Sequence, residues 1–166
     1  MSRHFLEIKT ERIHGFFWGG LPECFVSTAL DSGPGFNHST RYSIPKLFSA
    51  LYFSSAKDLS QVEIEEKIDG VGEPITYLKY EIDLDSIVDL RDQKIRERFK
   101  VTLEEITQHK SKMGAYSTTH KIAKSLYENR YQGLIAPSAF DPTNKEWSNL
   151  VIYPANIVRK FIKEKI

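Results

Sequence analysis

Apolar and polar residues alternate most clearly between positions 75 and 84, where the chain reads Ile-Thr-Tyr-Leu-Lys-Tyr-Glu-Ile-Asp-Leu. This period of two is typical of a strand with one buried face, and the apolar residues at 87–90 are compatible with its continuation. Bulky, aromatic and β-branched residues bounded by turn residues favour four further strands. These lie at 12–18, 49–54, 133–139 and 148–153. Only a polar turn at 141–145 separates the last two, which we expect to pair antiparallel.

Helical spacing of apolar residues occupies the middle of the chain, at 59–68, 93–99, 103–109 and 119–129. We expect Asp58 to cap the first of these helices, with Gln61 reaching back three residues later. A closing segment at 155–166 carries apolar residues at near-helical spacing and lysines towards its end, which predicts a C-terminal helix.

Strands at both ends with helices between them predict an α+β fold, a compact mixed sheet. The 166 residues are enough for one domain with a sizeable core, and we expect a single domain over 1–166. Between 27 and 43 the chain is rich in Ser, Thr, Gly, Pro and Asn, which predicts a long loop. Long loops inside compact domains are often functional.

Composition and charge narrow the classes of function. Hydrophobic residues make up 40% of the chain and charged residues 27%, a balance typical of globular proteins. Lys and Arg number 23 against 22 Asp and Glu, so the broad positive field that favours nucleic acid is absent and we expect no direct nucleic-acid binding. The single cysteine, Cys24, suits a reducing compartment. With no visible export signal and no apolar run of membrane-spanning length, we expect a cytoplasmic protein that does not bind membranes.

Several catalytic signatures are missing from the sequence: a phosphate-binding loop, a dinucleotide-binding glycine motif, a zinc-protease helix and a serine-nucleophile elbow. The five histidines are scattered without metal-ligand spacing, so we expect no metal site. They are His4, His14, His38, His109 and His120.

Three polar residues are candidates for chemistry, although each has a plain structural explanation. Arg41 ends the long loop, where a guanidinium is suited to a phosphate, but most arginines are solvated surface charges. Glu63 is a candidate cleft carboxylate, yet Glu65 and Glu66 follow it as in a solvated helix face. Ser138 after a proline fits a ligand-facing hydroxyl and a turn residue equally well.

The order of these residues along the chain carries more information than any one of them. Arg12 and Ile13 open a strand, Tyr52 follows Arg41 by eleven positions, Glu63 follows Tyr52 by eleven more, and Ser138 and Asn149 come late. This order resembles the RES-domain family, named for an arginine, a glutamate and a serine, whose members are mostly bacterial toxins of toxin–antitoxin pairs. The resemblance extends from Arg12 to about Pro154.

The chain departs from the family pattern at several positions. Thr40 stands where a glycine is expected, Tyr42 replaces a tryptophan, Ser43 replaces an asparagine, and Tyr153 precedes Pro154 in place of an asparagine. These departures keep open a non-enzymatic alternative, a module that has kept the fold and binds NAD or another partner without turnover.

The resemblance implies an NAD-degrading enzyme with a fold similar to ADP-ribosyltransferase toxins. Its expected reaction is phosphorolysis of the nicotinamide N-glycosidic bond, giving nicotinamide and ADP-ribose 1″-phosphate, and the alternative is ADP-ribosyl transfer to a protein target. NAD is then a substrate, inorganic phosphate a possible co-substrate, and no metal is expected. The resemblance also implies a partner, an antitoxin with a DNA-binding helix-turn-helix that blocks the entrance to the site, and self-association is common in the family.

The same resemblance gives each residue an expected role. Glu63, as the only carboxylate of the set, would stabilise the developing ribosyl cation or hold the ribose hydroxyls. Arg12 and Arg41 would clamp the pyrophosphate or the incoming phosphate. The catalytic set is thus Glu63, Arg41 and Ser138, and the NAD-binding set is Arg12, Ile13, Arg41, Tyr52 at the nicotinamide end, Ser138 at the ribose or attacking phosphate, and Asn149 as an orienting group.

Overall fold

The computed structural model of the chain describes residues 7–37, 39–67, 72, 74–108 and 116–165. Its strands are β1 Glu11–Pro22, β2 Leu51–Ser54, β3 Ile75–Asp89, β4 Gly133–Pro137, β5 Ser148–Ile152 and β6 Ile162–Lys165. Its α-helices are α1 Lys57–Lys67, α2 Gln93–Phe99, α3 Leu103–Thr107 and α4 Ser117–Glu128. Short 3-10 helices lie at Glu23–Thr28, Pro34–Asn37 and Pro154–Asn156. The predicted α+β class is confirmed.

The strands form one mixed sheet that closes on itself. Their order is β1-β2-β5-β4-β3-β6, and β1 also pairs with β3 along nearly its whole length. Among the strand pairs of the described residues, β3 and β4 run parallel and the others are antiparallel. The predicted pairing of the two late strands is confirmed, with Ala136 opposite Asn149. Strand β5 therefore lies between β4 and β2, a position that places it against the site described below.

Two hydrophobic clusters lie on opposite faces of β2, β4 and β5. On β5, Leu150 and Ile152 point into an inner cluster with β1 and β3, whereas Val151 points to an outer cluster beneath α2, α3 and α4. Because successive side chains of a strand point to opposite faces, a strand buried on both faces is apolar at consecutive positions. This explains why residues 148–153 contain a continuous apolar run.

Most of the predicted elements are present, with corrections at their ends. Helix α2 has the predicted limits, and β3 continues without a break through Asp89. Helix α1 begins earlier than predicted, because Ser60 N already donates to the Ala56 carbonyl at 3.1 Å, so Asp58 lies in the first turn and is not the cap. The predicted helix ends at Ile68 and His109 fall outside the described residues.

The predicted C-terminal helix is wrong. After a 3-10 turn at Pro154–Asn156 the chain becomes extended, and β6 pairs with β3 at Tyr80–Ile82. Helical spacing would have placed Val158 beside Ile157 on a buried face, but Val158 is fully exposed. The edge of β3 offers unpaired backbone groups, and the Asp83 N–H donates to the Phe161 carbonyl at 2.8 Å. Satisfying this edge therefore outweighs the local helical pattern.

The predicted loop at 27–43 also needs a correction. It is interrupted by the 3-10 helix Pro34–Asn37 and ends in a tight turn in which Thr40 bridges Ser43. This turn presents Arg41 to the cavity described next.

Candidate active site

A cavity of about 620 Å³ opens on the face of the sheet where β1, β2 and β5 meet α1. Its walls are the end of β1 at Trp18–Gly20, the turn that carries Arg41, one face of α1, Tyr116 before α4, and the ends of β4 and β5. The volume lies within the usual range for small-molecule sites. Of the predicted site residues, Arg41, Tyr52, Glu63 and Asn149 line this cavity.

Glu63 is held at both carboxylate oxygens. The Ser54 hydroxyl donates to its Oε2 at 2.9 Å, and the Asn149 amide Nδ2 donates to its Oε1 at 2.7 Å. Ser54 and Asn149 are direct partners in the pairing of β2 with β5, so the sheet presents two donors side by side to one carboxylate. Glu63 is half-buried on α1. Its carboxylate is thus fixed in orientation while one side faces the cavity.

Asn149 has one unsatisfied atom. Its Oδ1 is buried and has no hydrogen-bond partner among the described residues. A buried acceptor without a partner carries a free-energy cost, and such groups often mark functional positions. Asn149 therefore orients Glu63 through its amide donor, and its Oδ1 stays buried behind the cavity wall without a partner among the described residues.

Arg41 lines the same cavity and keeps an unpaired charge there. Its Nη1 donates to the Ile106 carbonyl at 3.0 Å, and its guanidinium lies 5.0 Å from the centroid of the Tyr116 ring. The ion pairs among the described residues do not include Arg41. The turn that carries it is anchored by His120, whose Nε2 donates to the Thr40 carbonyl at 2.7 Å. The arrangement positions a cation without neutralising it.

Tyr52 lies under the Arg41 turn. Its hydroxyl bonds the Thr40 hydroxyl and accepts from the Tyr42 N–H at 3.0 Å. Burial raises the pKa of Tyr52 to about 12, partly opposed by its hydrogen bond with Thr40. Burial likewise raises the pKa of Tyr42 and of Tyr153, the latter well above its usual value. The Tyr52 phenol is therefore a neutral group that stabilises the turn, and the residue also lines the cavity.

Three predicted residues do not line the cavity. Arg12 binds Asp83 through two contacts of 3.2 Å, and this hydrogen-bonded pairing raises the pKa of Arg12 and lowers that of Asp83. Ile13 packs against the inner cluster. Ser138 is completely buried, and its hydroxyl accepts from the Phe140 N–H at 3.1 Å. Ser138 thus shapes the turn between Pro137 and Ala139, both of which do line the cavity.

Sequence reasoning missed several residues of the site. The sequence indicates strand positions for Ser54 and Trp18 and no site role for Tyr116 or His120. The alternation of β2 places Tyr52 and Ser54 on one face, which is a usable signal. The register that brings Ser54 beside Asn149 is a long-range feature that one sequence does not reveal.

Within the described ranges, no group of three or more His, Cys, Asp or Glu residues could hold a metal ion. His14 contacts Glu81 at 2.7 Å and His120 holds the Arg41 turn. The remaining histidines, His4, His38 and His109, lie outside the part of the chain that the structure describes. Among the described helices, none is long and apolar enough to cross a bilayer.

Comparisons with known proteins identify the family and the fold. A family model described as "RES domain" matches residues 10–164. The fold is similar to a chain in the crystal structure of the M. tuberculosis MbcT–MbcA toxin–antitoxin complex, with a TM-score of 0.70 and 16% sequence identity. That likeness covers 95% of this chain and 85% of the other. No curated protein matches the sequence.

Proposed function

The chain belongs to the RES-domain family, and from that membership and the cavity around Glu63 we propose that it is an NAD-degrading toxin of a toxin–antitoxin pair. The proposed reaction is phosphorolysis. An oxygen of inorganic phosphate forms a bond to C1″ of the nicotinamide ribose while the C1″–N bond breaks, and nicotinamide leaves with the electron pair as a neutral molecule. The other product is ADP-ribose 1″-phosphate.

The observation that carries the proposal is the doubly held carboxylate of Glu63. Breaking the glycosidic bond builds positive charge on the ribose, and glycosidases stabilise such a state with a carboxylate beside the anomeric carbon. Hydrogen bonds from Ser54 and Asn149 fix the Glu63 carboxylate before the substrate arrives. A group held in advance does not have to reorganise as the charge develops.

Arg41 supplies the positive charge for a phosphate group. A guanidinium binds phosphate through two parallel hydrogen bonds, and Arg41 uses its Nη1 on the Ile106 carbonyl, leaving the rest of its fork for a ligand. In the proposed reaction Arg41 binds the diphosphate of NAD or the incoming phosphate. Tyr52 borders the nicotinamide end, and Asn149 keeps the Glu63 carboxylate oriented towards the ribose.

Three residues of the predicted NAD-binding set, Ser138, Arg12 and Ile13, have a reduced role or none in the proposed reaction. Ser138 supports the cavity wall through its neighbours, and its proposed contact with ribose would need the turn to shift. Arg12 and Ile13 lie outside the cavity, so the proposal assigns them no contact with NAD.

Release of nicotinamide from NAD by the purified protein, followed by chromatography with and without inorganic phosphate, tests the proposal. We expect phosphate-dependent release and a loss of about 100-fold or more in Glu63→Gln, the usual scale for removing a group that stabilises transition-state charge. Glu65→Gln is the matched control, because Glu65 is exposed on the same helix and does not line the cavity.

Other outcomes contradict the proposal in distinct ways. Release that does not need phosphate would indicate hydrolysis, and transfer of label from NAD to a protein would indicate ADP-ribosyl transfer. NAD binding without release would indicate an inactive module. Equal rates for Glu63→Gln and wild type would remove Glu63 from the reaction.

We also propose that a helix-turn-helix antitoxin covers the cavity and that the pair acts in the cytoplasm. The structural neighbour comes from a toxin–antitoxin complex, which supports such a partner. Co-expression with the product of an adjacent gene should give a stable complex that releases no nicotinamide, and an active complex would contradict this arrangement.

A further inference from the structure

Aromatic rings and lysines gather at the β1 end of the cavity. We call Phe16, Trp18, Lys57, Tyr77 and Lys79 the lysine–aromatic cluster. Lys57 Nζ lies 5.8 Å from the ring centroids of both Trp18 and Tyr77. Lys79 Nζ lies 4.4 Å from the Phe16 ring and 5.8 Å from the Trp18 ring. Two ammonium groups thus flank one indole.

The cluster adjoins the catalytic carboxylate. Trp18 lines the cavity and is the direct strand partner of Ser54, whose hydroxyl holds Glu63. Lys57 precedes the lining residue Ser60 by one turn of α1. At about 1.5 Å per helical residue, Lys57 stands roughly 9 Å from Glu63 along the axis. The cluster is therefore within reach of a ligand whose ribose lies at Glu63.

Gly20 allows the cluster to assemble. A Cβ at Gly20 would come 2.9 Å from the Tyr77 ring and 3.1 Å from Ser60 Oγ. Only a residue without a side chain lets Tyr77 and α1 approach β1 this closely. The close packing fixes Tyr77 beside Lys57 and leaves Trp18 half-buried at the cavity wall.

The two lysines are not neutralised. Among the described residues, neither Lys57 nor Lys79 forms an ion pair, whereas Arg12, Arg159 and Lys163 share Asp83. A distance of 5.8 Å is near the outer limit of a cation–π contact, about 6 Å, so Lys57 is held weakly. A weakly held cation can turn towards an anionic ligand at little cost.

We propose that the lysine–aromatic cluster is the subsite for the adenosine-phosphate half of NAD, with adenine stacked on Trp18 and Lys57 bound to the adjacent phosphate. This inference rests on the proposed function. A neutral purine and an anionic phosphate match an aromatic ring flanked by cations, whereas the positively charged nicotinamide ring is repelled by them. Arg41, held at a different wall, is then free to bind the incoming phosphate, which avoids crowding two phosphate groups on one guanidinium.

Binding of adenine nucleotides tests the subsite without any turnover. The chain has two tryptophans, so Trp147→Phe leaves Trp18 as the fluorescent probe. We expect AMP to quench Trp18, and adenosine to bind about tenfold more weakly because it lacks the phosphate. In this background Lys57→Gln should weaken AMP binding about tenfold, the scale of one contact between charged groups, and Lys57→Arg should restore most of it. Lys94→Gln, an exposed lysine on α2, is the matched control.

Kinetics separate this inference from the proposed function. Lys57→Gln should raise the KM for NAD about tenfold and leave the KM for phosphate unchanged, and Arg41→Gln should raise the KM for phosphate. If nicotinamide is released normally but Lys57→Gln behaves as Lys94→Gln with both AMP and NAD, the subsite is refuted and the proposed function stands. If no nicotinamide is released, the proposed function fails, and the AMP titration still decides the subsite. Absence of Trp18 quenching by AMP would overturn the subsite in either case.

Discussion

The contact between Glu63 and Asn149 gives a sharp test of the site that does not depend on its reaction. Asn149→Asp keeps the size and shape of the side chain but replaces the amide donor with a second carboxylate. The new carboxylate would lie where Nδ2 now stands, 2.7 Å from Glu63 Oε1. Two negative charges at this distance repel each other, so the folded state must either bear the repulsion or bind a proton.

The magnitude of the repulsion between the two carboxylates follows from Coulomb's law. At 2.7 Å and an effective dielectric constant of about 20, two unit charges repel by roughly 6 kcal/mol. Glu63 is half-buried, so solvent screening reduces this figure, and we expect a cost of about 2 to 4 kcal/mol at neutral and higher pH. One pH unit of differential protonation corresponds to about 1.4 kcal/mol. The folded pair should therefore hold one proton up to about 1.5 to 3 pH units above the range in which free carboxyls titrate.

The sign of the pH dependence is fixed by where that proton resides. Below about pH 4, the unfolded carboxyls are protonated as well, and the variant bears no electrostatic penalty. As pH rises, the unfolded chain releases both protons while the folded pair keeps one, so stability falls until the pair also ionises. The loss is thus small at pH 4 and complete near pH 8.

Urea unfolding at pH 4 and pH 8 measures the difference between Asn149→Asp and wild type. Asn149→Leu is the matched control, because it removes the hydrogen bond without adding charge and should lose similar stability at both pH values. In the double variant Glu63→Gln/Asn149→Asp, the amide donor lies at position 63 and the carboxylate acceptor at position 149. The hydrogen bond can then form in the reverse direction, and most of the lost stability should return. A pH-independent loss in Asn149→Asp, or no rescue in the double variant, would refute the paired geometry.

Two further predictions concern the scaffold of the site. Gly133→Ala should destabilise the fold by about 3 kcal/mol or more, since the added Cβ would clash with the Val151 carbonyl oxygen. Gly15→Ala is the control and should shift the urea midpoint little, because the nearest neighbour of its added Cβ is 3.8 Å away. Burial raises the pKa of Tyr52 to about 12, whereas unfolded tyrosines titrate at about 10. The contribution of protonated Tyr52 to folding stability should therefore be intact below pH 10 and fall as the pH rises towards 12. Tyr52→Phe should show a smaller loss between pH 9 and pH 11 in urea unfolding, and an equal loss would contradict the assignment.

Elements with local signals could be predicted from the sequence, and those that depend on distant pairing could not. Helix α2 has the predicted limits because its cap is local, with the Asp92 side chain accepting from the Lys94 N–H at 2.8 Å. Strand β3 could also be predicted, because the alternation of its apolar and polar residues lies within the strand itself. The predicted C-terminal helix is wrong because the conformation of residues 155–165 depends on the free edge of β3, which lies about 80 residues away along the chain.

The difference between local signals and distant pairing also decides which site residues could be predicted. Arg41, Tyr52, Glu63 and Asn149 were predicted and share one cavity, since the family pattern retains the order of residues that the fold brings together. Arg12 was also predicted, yet the structure pairs it with Asp83. Nothing near Arg12 in the sequence reveals that partner, because it lies 71 residues away on the neighbouring strand. The partners of a charge, more than its place in a motif, decide whether it is available to a ligand.

The position of β5 between β2 and β4 sets when the site comes into existence as the protein is made. Glu63 emerges from the ribosome 86 residues before Asn149. At the usual rates of about 5 to 20 residues per second, this delay is roughly 4 to 17 s. During that time the carboxylate lacks its amide partner and the cavity lacks one wall. The reaction proposed for Glu63 therefore has to wait for β5, and a chain that stops short of β5 should release no nicotinamide from NAD.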